Sequence, residues 1–251
     1  MRVFGRNVPM MASLLIWIVL WEIVGRLGLV FLLPPFSDVL AAMSELFATN
    51  KFWDSTLTTL RSFGIGMAFS ILVGVPLGVL MGRSKAADRL LGMWVNIFVS
   101  APLSALVPIL MILFGLGETT VILSVFLFAV WIIALDTQAG VAHMQRSLEE
   151  MARSYGATPG QLYGKIILWA ALPEILAGIR IGFIRGVKGV VIGQLLVSII
   201  GYGELFELYS RNFLMAEFWA LTVLLFAFAM IVAEAVGAIE KRIEYYAGVR
   251  Q

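Results

Sequence analysis

Cysteine is absent from the sequence, and charged residues are scarce. Without cysteine the chain has no disulfide, no thiol nucleophile and no cysteine-ligated metal. Aspartate, glutamate, lysine and arginine make up only 14% of the 251 residues, whereas soluble domains contain about 25% charged residues. So few charges could not cover a water-soluble globule. The composition therefore excludes a soluble enzyme and a disordered chain.

Histidine is nearly absent as well. His143 is the single histidine and lies in a charged segment, so we predict neither a metal site nor an acid–base catalyst there. The formal charge is only +2, and the basic residues are scattered among apolar stretches, which argues against a nucleic-acid partner. The phosphate-binding pattern G-x-x-x-x-G-K-[ST] is missing, so we do not expect this chain to hydrolyse ATP itself.

Long apolar runs dominate the sequence instead. Hydrophobic residues make up 61% of the chain, and the mean hydropathy is +0.95. A helix needs about 20 apolar residues to cross the hydrocarbon core, and continuous rather than alternating runs exclude a porin-like barrel. We predict an all-α integral membrane protein with one domain over residues 1–251 and six transmembrane helices. The predicted spans are about 8–26, 57–82, 90–114, 118–136, 174–200 and 217–238.

Basic residues in the short loops predict the orientation of these spans. Arginine and lysine lie before the first span, in the loops after the second and fourth, and after the sixth, whereas the opposite loops are richer in acidic residues. Because cytoplasmic loops carry an excess of lysine and arginine, both termini are expected in the cytoplasm. The amino-terminal apolar run lacks a small-residue cleavage site, so we interpret it as an uncleaved first span.

Residues 37–48, between the first two spans, have the pattern of an external amphipathic helix. Ser37 is the expected N-cap, and apolar residues recur at helical spacing on one face. These residues are Val39, Leu40, Met43, Leu46 and Phe47. We predict that this helix packs against the spans or lies in the membrane interface.

Residues 147–165 carry the signals of two short cytoplasmic helices. Ser147 and Glu150 match a capping box at the start of the first helix, and Gly156 is placed to end it in a left-handed conformation. Thr158 and Gln161 match a second capping box, with proline at the first helical position. An apolar face on the first helix comprises Leu148, Met151, Ala152 and Tyr155. That face either packs on the spans or is a surface for a partner protein.

At this segment the sequence resembles the permease subunits of bacterial ABC importers. Their signature is E-A-A, three further residues and G, followed later by an L-P pair. The corresponding residues here are Glu150-Met151-Ala152, Gly156 and Leu172-Pro173. The similarity extends along the chain, to the nitrate, sulfonate and taurine branch of that family. It includes Trp21-Glu22, Gly74-Val75-Pro76-Leu77-Gly78, Phe114-Gly115-Leu116-Gly117-Glu118 and Gly201-Tyr202-Gly203-Glu204-Leu205.

The resemblance implies a six-span, non-enzymatic subunit of the bacterial cytoplasmic (inner) membrane. It implies a path for a small, anionic solute such as a sulfonate, nitrate, taurine or a related organic acid. The implied partners are a second permease subunit, identical or different, two ATPase subunits that bind ATP and Mg²⁺, and an external solute-binding protein. This chain itself would hold no cofactor. The ATPase subunits would dock on the segment that contains Glu150, Met151, Ala152, Tyr155, Gly156, Ala157, Thr158 and Gln161.

Five polar residues in or near the fifth span are candidates for the translocation path: Arg180, Arg185, Lys188, Gln194 and Ser198. The three basic residues either anchor the span at the cytoplasmic surface, with snorkelling side chains, or attract an anion near the inner end of the path. Gln194 and Ser198 are four residues apart and either line the path or form hydrogen bonds between helices.

Glycine and proline predict how the spans pack and bend. Glycines four residues apart, Gly74-Gly78-Gly82 and Gly178-Gly182-Gly186, predict faces on which two helices approach closely. Prolines within the predicted spans tend to kink their helices. They are Pro76, Pro102 and Pro108.

Two other functions are the alternatives. A secondary transporter is expected to show an inverted repeat and a charge near the membrane midplane. An intramembrane enzyme requires a serine–histidine pair or a cluster of metal ligands inside the spans. We find neither pattern in the sequence, which favours the permease interpretation.

Overall fold

The structure, a computed structural model, describes residues 2–3, 6–7 and 10–246. Residues 8–9 of the first predicted span and the carboxy-terminal residues 247–251 lie outside the described residues. Two short antiparallel strands, β1 (Arg2–Val3) and β2 (Arg6–Asn7), come first. The helices are α1 (Met10–Arg26), α2 (Phe36–Phe47), α3 (Asn50–Arg83), α4 (Lys85–Ser100), α5 (Leu103–Phe114), α6 (Glu118–Ala142), α7 (Arg146–Ser154), α8 (Pro159–Ala170), α9 (Leu172–Val197), α10 (Gly201–Arg211) and α11 (Met215–Tyr246).

Within the described residues, three helices are long and apolar enough to cross a membrane on their own, namely α3, α6 and the Met215–Ala238 part of α11. Two bent pairs also qualify if each is one span: α4 with α5, bent by 97°, and α8 with α9, bent by 64°. The structure therefore has three to five candidate spans by this measure. Helix α1 lies where the first span is predicted and has 17 residues.

The span predicted over 90–114 is divided into two helices at Pro102, one of the prolines predicted to kink their helices. Helix α4 ends at Ser100, and Ala101 is extended, with φ −69° and ψ 148°. The following residue is Pro102, and a proline disfavours helical backbone at the residue before it. The chain turns there and resumes as α5, which opens with a 3₁₀ turn. Helix α5 ends at Phe114, the predicted end of this span, and Gly115 after it has φ 82°.

Helix α6 lies at the centre of the bundle, packed between α3 and α9. The predicted glycine face of α3 is confirmed. A Cβ atom added at Gly78 would lie 2.5 Å from the carbonyl oxygen of Ala134, and one at Gly82 would lie 2.7 Å from Cβ of Val141. Such close approach brings two helix backbones together, which is how membrane helices gain packing contacts.

The glycine face of α9 is shared between two neighbours. A Cβ atom at Gly182 would lie 2.7 Å from Cγ1 of Ile133 on α6, whereas one at Gly186 would lie 2.6 Å from Sδ of Met67 on α3. Helix α9 therefore fills the groove between α3 and α6. This packing fixes the position of the polar residues that α9 carries.

One end of the bundle is covered by α2 and α10. Helix α2 begins at Phe36, with Pro35 in the N-cap position, so the prediction of Ser37 as N-cap is wrong. The backbone N–H of Ser37 and its hydroxyl both donate to the carboxylate of Glu22, at 2.9 and 3.0 Å. A carboxylate from α1 thus satisfies the free N–H group that an N-cap side chain would otherwise bind.

The apolar face predicted for α2 is only partly buried. Val39 and Leu46 are in the core, but Leu40 and Phe47 are 49% and 44% exposed. Helix α10 was not predicted at all, because its residues fall between the fifth and sixth spans. Its large buried residues follow a helical pattern: Tyr202, Leu205, Phe206 and Tyr209.

Candidate functional site

The predicted docking segment lies at the opposite end of the bundle, in α7 and α8. The predicted capping box at the start of α7 is wrong. The helix begins at Arg146 after an extended Gln145, and no side chain caps it. Ser147 and Glu150 therefore both lie inside the helix, and Glu150 is exposed. The chain turns into the helix two residues earlier than the pattern predicts.

The end of α7 agrees with the prediction. Gly156 has φ 75°, in the left-handed region that favours glycine. Its N–H donates to the carbonyl of Arg153 at 2.9 Å, and the N–H of Ala157 donates to the carbonyl of Ala152 at 3.0 Å. These two bonds form a Schellman motif, which satisfies carbonyl groups at the helix end.

The capping box predicted at the start of α8 is confirmed. Oγ1 of Thr158 accepts a hydrogen bond from the N–H of Gln161 at 3.4 Å, and Oε1 of Gln161 accepts one from the N–H of Thr158 at 2.9 Å. Pro159 occupies the start of the helix. The helix then widens into a π-helical turn, Leu162–Ile167, and continues to Ala170, five residues beyond the predicted end at 165.

The predicted apolar face of α7 divides into two parts. Ala152 is buried against Leu162 of α8 and belongs to an apolar cluster at this end of the bundle. Met151 and Tyr155 are 47% and 88% exposed. Ala152 therefore packs α7 against α8, whereas the large apolar side chains of Met151 and Tyr155 remain accessible.

An ion pair that the sequence analysis missed joins α7 to the end of α3. Nη1 of Arg83 donates to Oε2 of Glu149 at 2.7 Å, and Nη2 donates to Oε1 at 2.8 Å. Arg153, one turn further along α7, also donates to Oε1 of Glu149, at 2.9 Å. The hydrogen bonds from Arg83, and then those from Arg153, lower the pKa of Glu149 to about 2. The carboxylate therefore stays ionised at physiological pH.

A polar cavity of about 300 Å³ lies beside this ion pair. It is lined by the start of α4, the ends of α3 and α6, and by Glu149 itself. Across it, Nε2 of Gln138 donates to Oδ1 of Asp88 at 3.3 Å. The ion pair therefore bridges α3 and α7 at the edge of an open space rather than within a closely packed interface.

Gln194 forms the interhelical hydrogen bond that was one of its two predicted roles. Its Nε2 donates to Oγ1 of Thr59 on α3 at 3.0 Å, and that hydroxyl donates to the carbonyl of Ser55 at 2.8 Å. Gln194 is only 2% exposed. Its role in the path stays a prediction.

Ser198 lies at the C-cap of α9, just past the last helical residue. Helix α9 ends at Val197, and Ser198 has φ 56°, with its hydroxyl bonded to the carbonyl of Leu195 at 2.5 Å. The N–H of Ser198 donates to the carbonyl of Gln194 at 2.7 Å, and the role of Ser198 in the path stays a prediction.

The three basic residues of α9 have different surroundings. The guanidinium of Arg180 lies beside Gly237 on α11, where an added Cβ atom would be 3.2 Å from Nη2. Nη1 of Arg185 is 3.4 Å from the carbonyl oxygen of Val99 on α4, to which it donates. Lys188 is exposed. They do not form one cluster within this chain, and their part in solute passage stays a prediction.

The fold defines the class of protein: a membrane protein built from helices, with a pair of short helices joined by a tight turn at one end of the bundle. Residues 74–245 match the family described as binding-protein-dependent transport system inner membrane component. The chain belongs to this family and is a permease subunit of an ABC transporter.

Individual relatives agree with this assignment. The taurine transport system permease protein TauC of Escherichia coli is 31% identical over 226 residues, which cover 87% of this chain and 80% of TauC. The carnitine transport permease protein OpuCD of Listeria monocytogenes is 31% identical, over 70% of this chain and 78% of OpuCD. The putative aliphatic sulfonates transport permease protein SsuC of Bacillus subtilis is 28% identical, over 74% of this chain and 68% of SsuC.

A solved structure supports the fold. A chain of the MetNI methionine ABC transporter, in an inward-facing conformation, superimposes with a TM-score of 0.64 and 24% identity. The match covers 80% of this chain and 97% of that chain. The bundle is therefore of the same kind as in that transporter.

Proposed function

We propose that this permease subunit belongs to an ATP-driven importer and that α7 and α8 dock an ATPase subunit. The observation that carries the proposal is the exposure of Met151 and Tyr155 on a short helix held by well-formed turns. Large apolar side chains accessible on such a helix mark a surface for a partner protein. Because α8 is followed directly by α9, with a 64° bend, movement of the docked segment reaches a helix of the bundle.

The proposed topology has six spans: α1, α3, the α4–α5 pair, α6, the α8–α9 pair and α11. Both termini and the α7–α8 segment lie in the cytoplasm, as the basic loops favour. The subunit pairs with a second permease, identical or different, in the bacterial cytoplasmic membrane. Two ATPase subunits bind ATP and Mg²⁺, and an external binding protein delivers the solute.

The proposed solute is a small molecule with an anionic group, of the sulfonate or taurine class. Support comes from the relatives described as taurine and aliphatic sulfonate permeases. The relative described as a carnitine permease supports a different solute class. Residues proposed for the path are Arg180, Arg185, Lys188, Gln194 and Ser198.

Transport by the reconstituted complex tests the function. The permease, its cognate ATPase and its binding protein would be placed in lipid vesicles, and uptake of taurine, an alkanesulfonate, nitrate and carnitine would be measured with and without ATP. We expect ATP-dependent uptake of a sulfonate. Uptake driven by an ion gradient without ATP would support a secondary transporter, and uptake of carnitine alone would replace the proposed solute class.

Docking is tested separately with Tyr155→Glu. A charge on Tyr155, which follows the last residue of α7 and is 88% exposed, should weaken association with the ATPase by about tenfold or more, as at an interface hot spot. Co-purification of the ATPase with the permease measures this. The control is Phe31→Glu, a comparably exposed aromatic (85%) at the other end of the bundle. Equal co-purification of both variants and wild type would place the ATPase elsewhere.

A further inference from the structure

The segment proposed to dock the ATPase is tied to α3 by a contact with strict geometry. Both terminal nitrogens of Arg83 bond to the two carboxylate oxygens of Glu149, at 2.7 and 2.8 Å. A bidentate arginine–carboxylate pair fixes the angle between its partners as well as their distance. Arg83 also lies 5.9 Å from the ring centroid of Tyr163 on α8. One side chain of α3 therefore contacts both short helices.

Other contacts leave the angle between α7 and α3 free to vary. Ala152, three residues along α7 from Glu149, is buried in an apolar cluster with Leu162 of α8, and small apolar contacts impose little orientation. Between α7 and the end of α3 lies the polar cavity of about 300 Å³ rather than packed side chains. The ion pair at the edge of this cavity is therefore the contact that can set the orientation of α7 relative to α3.

The amino-terminal part of α3 forms hydrogen bonds near the α2–α10 end of the bundle. Thr59 accepts the hydrogen bond from Gln194 on α9, and Thr56 shares a hydrogen bond with Tyr202 on α10, at 2.8 Å. Thr59 is 24 residues from Arg83 along one helix, which corresponds to about 36 Å. A helix held at both ends in this way connects the two sides of the bundle.

From this geometry we infer that Arg83 and Glu149 are positioning residues that transmit movement of the docked α7–α8 segment to α3. The inference rests on the proposed function, since it requires an ATPase on α7 and α8. It assigns to the pair a role in coupling that is separate from the docking surface formed by Met151 and Tyr155.

Charge reversal tests the pair. Arg83→Glu, Glu149→Arg and the double variant Arg83→Glu/Glu149→Arg would be purified with their ATPase and compared in vesicles. The measured quantity is the ratio of ATP hydrolysis with loaded binding protein to hydrolysis without it. We expect each single variant to reduce this ratio about fivefold or more, the size of an ordinary coupling between sites. The double variant should recover at least half of the wild-type ratio, because the ion pair is restored with its charges exchanged.

A second variant tests geometry without reversing charge. Arg83→Lys keeps the positive charge but cannot bond both carboxylate oxygens in the planar arrangement. It should accumulate normally and reduce the ratio by about twofold or more. The matched control is the charge-exchanged pair Glu207→Arg/Arg211→Glu on α10, an exposed ion pair at the other end of the bundle, which should leave the ratio unchanged.

The outcomes separate the inference from the proposed function. A wild-type ratio in Arg83→Lys and in both reversed variants would overturn the transmitting role while leaving the importer intact. Loss in both single variants without recovery in the double variant would also overturn it, because the residues would then act independently. If the wild-type complex shows no stimulation by the loaded binding protein, the proposed function itself fails.

Discussion

Glu149 is the carboxylate around which the docking segment is organised. Hydrogen bonds from Arg83, and then from Arg153, lower its pKa from 4.5 to about 2. A carboxyl group whose pKa is lower in the folded state stabilises the fold fully above its unfolded pKa. That contribution is lost as the pH falls through the folded value. The contribution of Glu149 is thus complete above about pH 4.5 and disappears towards pH 2.

Arg83→Gln should reveal this dependence. At pH 7 it should lower the midpoint of thermal unfolding in detergent by about 2–4 °C, the effect of about 1 kcal/mol in a chain of this size. The difference from wild type should shrink between pH 4.5 and pH 3, because in this range Glu149 gains a proton in the unfolded chain but stays ionised in the folded wild type, whose pKa is about 2. Lys51→Gln, which removes an exposed ion pair with Glu204, is the control. A difference that is constant over this pH range would contradict the assignment.

Gly156 permits a turn that other residues adopt only with strain. Its φ of 75° costs a residue with a Cβ atom about 1–2 kcal/mol, and a Cβ there would meet no atom within 4 Å. Gly156→Val should therefore leave the permease in the membrane but change the direction of α7, so that stimulated ATP hydrolysis and uptake fall sharply. Gly160→Val is the control, since Gly160 has equally open surroundings and no positive φ. Glu150→Ala should have a milder effect, because Glu150 is exposed and does not cap the helix.

The result for Gly156→Val also bears on the family resemblance. Wild-type stimulation in this variant would remove the turn from coupling and leave the glycine of the signature without a mechanical role. Reduced stimulation in Gly160→Val as well would mean that added bulk, rather than backbone strain, disturbs the ATPase surface.

At the scale of the helices, the close contact between α3 and α6 depends on glycine residues. At Gly78 a Cβ atom would lie 2.5 Å both from the carbonyl oxygen of Ala134 and from Cβ of Thr137. Neither atom is the flexible end of a side chain, so the helices must separate to admit any larger residue. The glycine therefore sets the distance between α3 and the centre of the bundle.

Gly78→Val should destabilise the bundle by about 1–3 kcal/mol or more, as overpacking does in close-packed interiors. The midpoint of thermal unfolding and the yield of monodisperse permease in detergent measure this. Gly64→Val makes the same change on the same helix at a site with nothing within 4 Å, so it should behave as wild type. Equal stability of the two variants would show that α3 and α6 do not approach as closely as described.

Local signals in the sequence were sufficient for the turns of the docking segment. The left-handed Gly156 and the reciprocal bonds of Thr158 and Gln161 depend on residues within a few positions of one another. The start of α7 was mispredicted because Ser147 fits an N-cap pattern, whereas the chain enters the helix after Gln145, whose side chain makes no cap.

Contacts between distant parts of the chain could not be predicted in this way. Arg83 and Glu149 are 66 residues apart, and no local pattern pairs them. For α10 the signal was present in the sequence but was not used, since Tyr202, Leu205 and Tyr209 recur at helical spacing. Pro102 predicts a bend in its span, and the structure shows that α4 ends just before it.

For the whole molecule, the decisive question is whether each bent helix pair crosses the membrane. A 97° bend between α4 and α5 is compatible with a broken span or with a segment that re-enters on the same side. The residues that follow α5 distinguish these arrangements, since they emerge on the far side only if the pair crosses. In the proposed six-span topology they lie outside the cell.

Single cysteines test this topology, because the chain has no native thiol to label. Glu45→Cys, Lys85→Cys and Leu116→Cys introduce cysteine at exposed positions in α2, in α4 and after α5. An impermeant thiol reagent applied to intact cells should label the first and third variants, and the second only after permeabilisation. The reason is that α3 carries the chain inwards between Glu45 and Lys85, and α4 with α5 carries it back. Labelling of Leu116→Cys only after permeabilisation would make α4–α5 a re-entrant segment and reverse the orientation of every later helix.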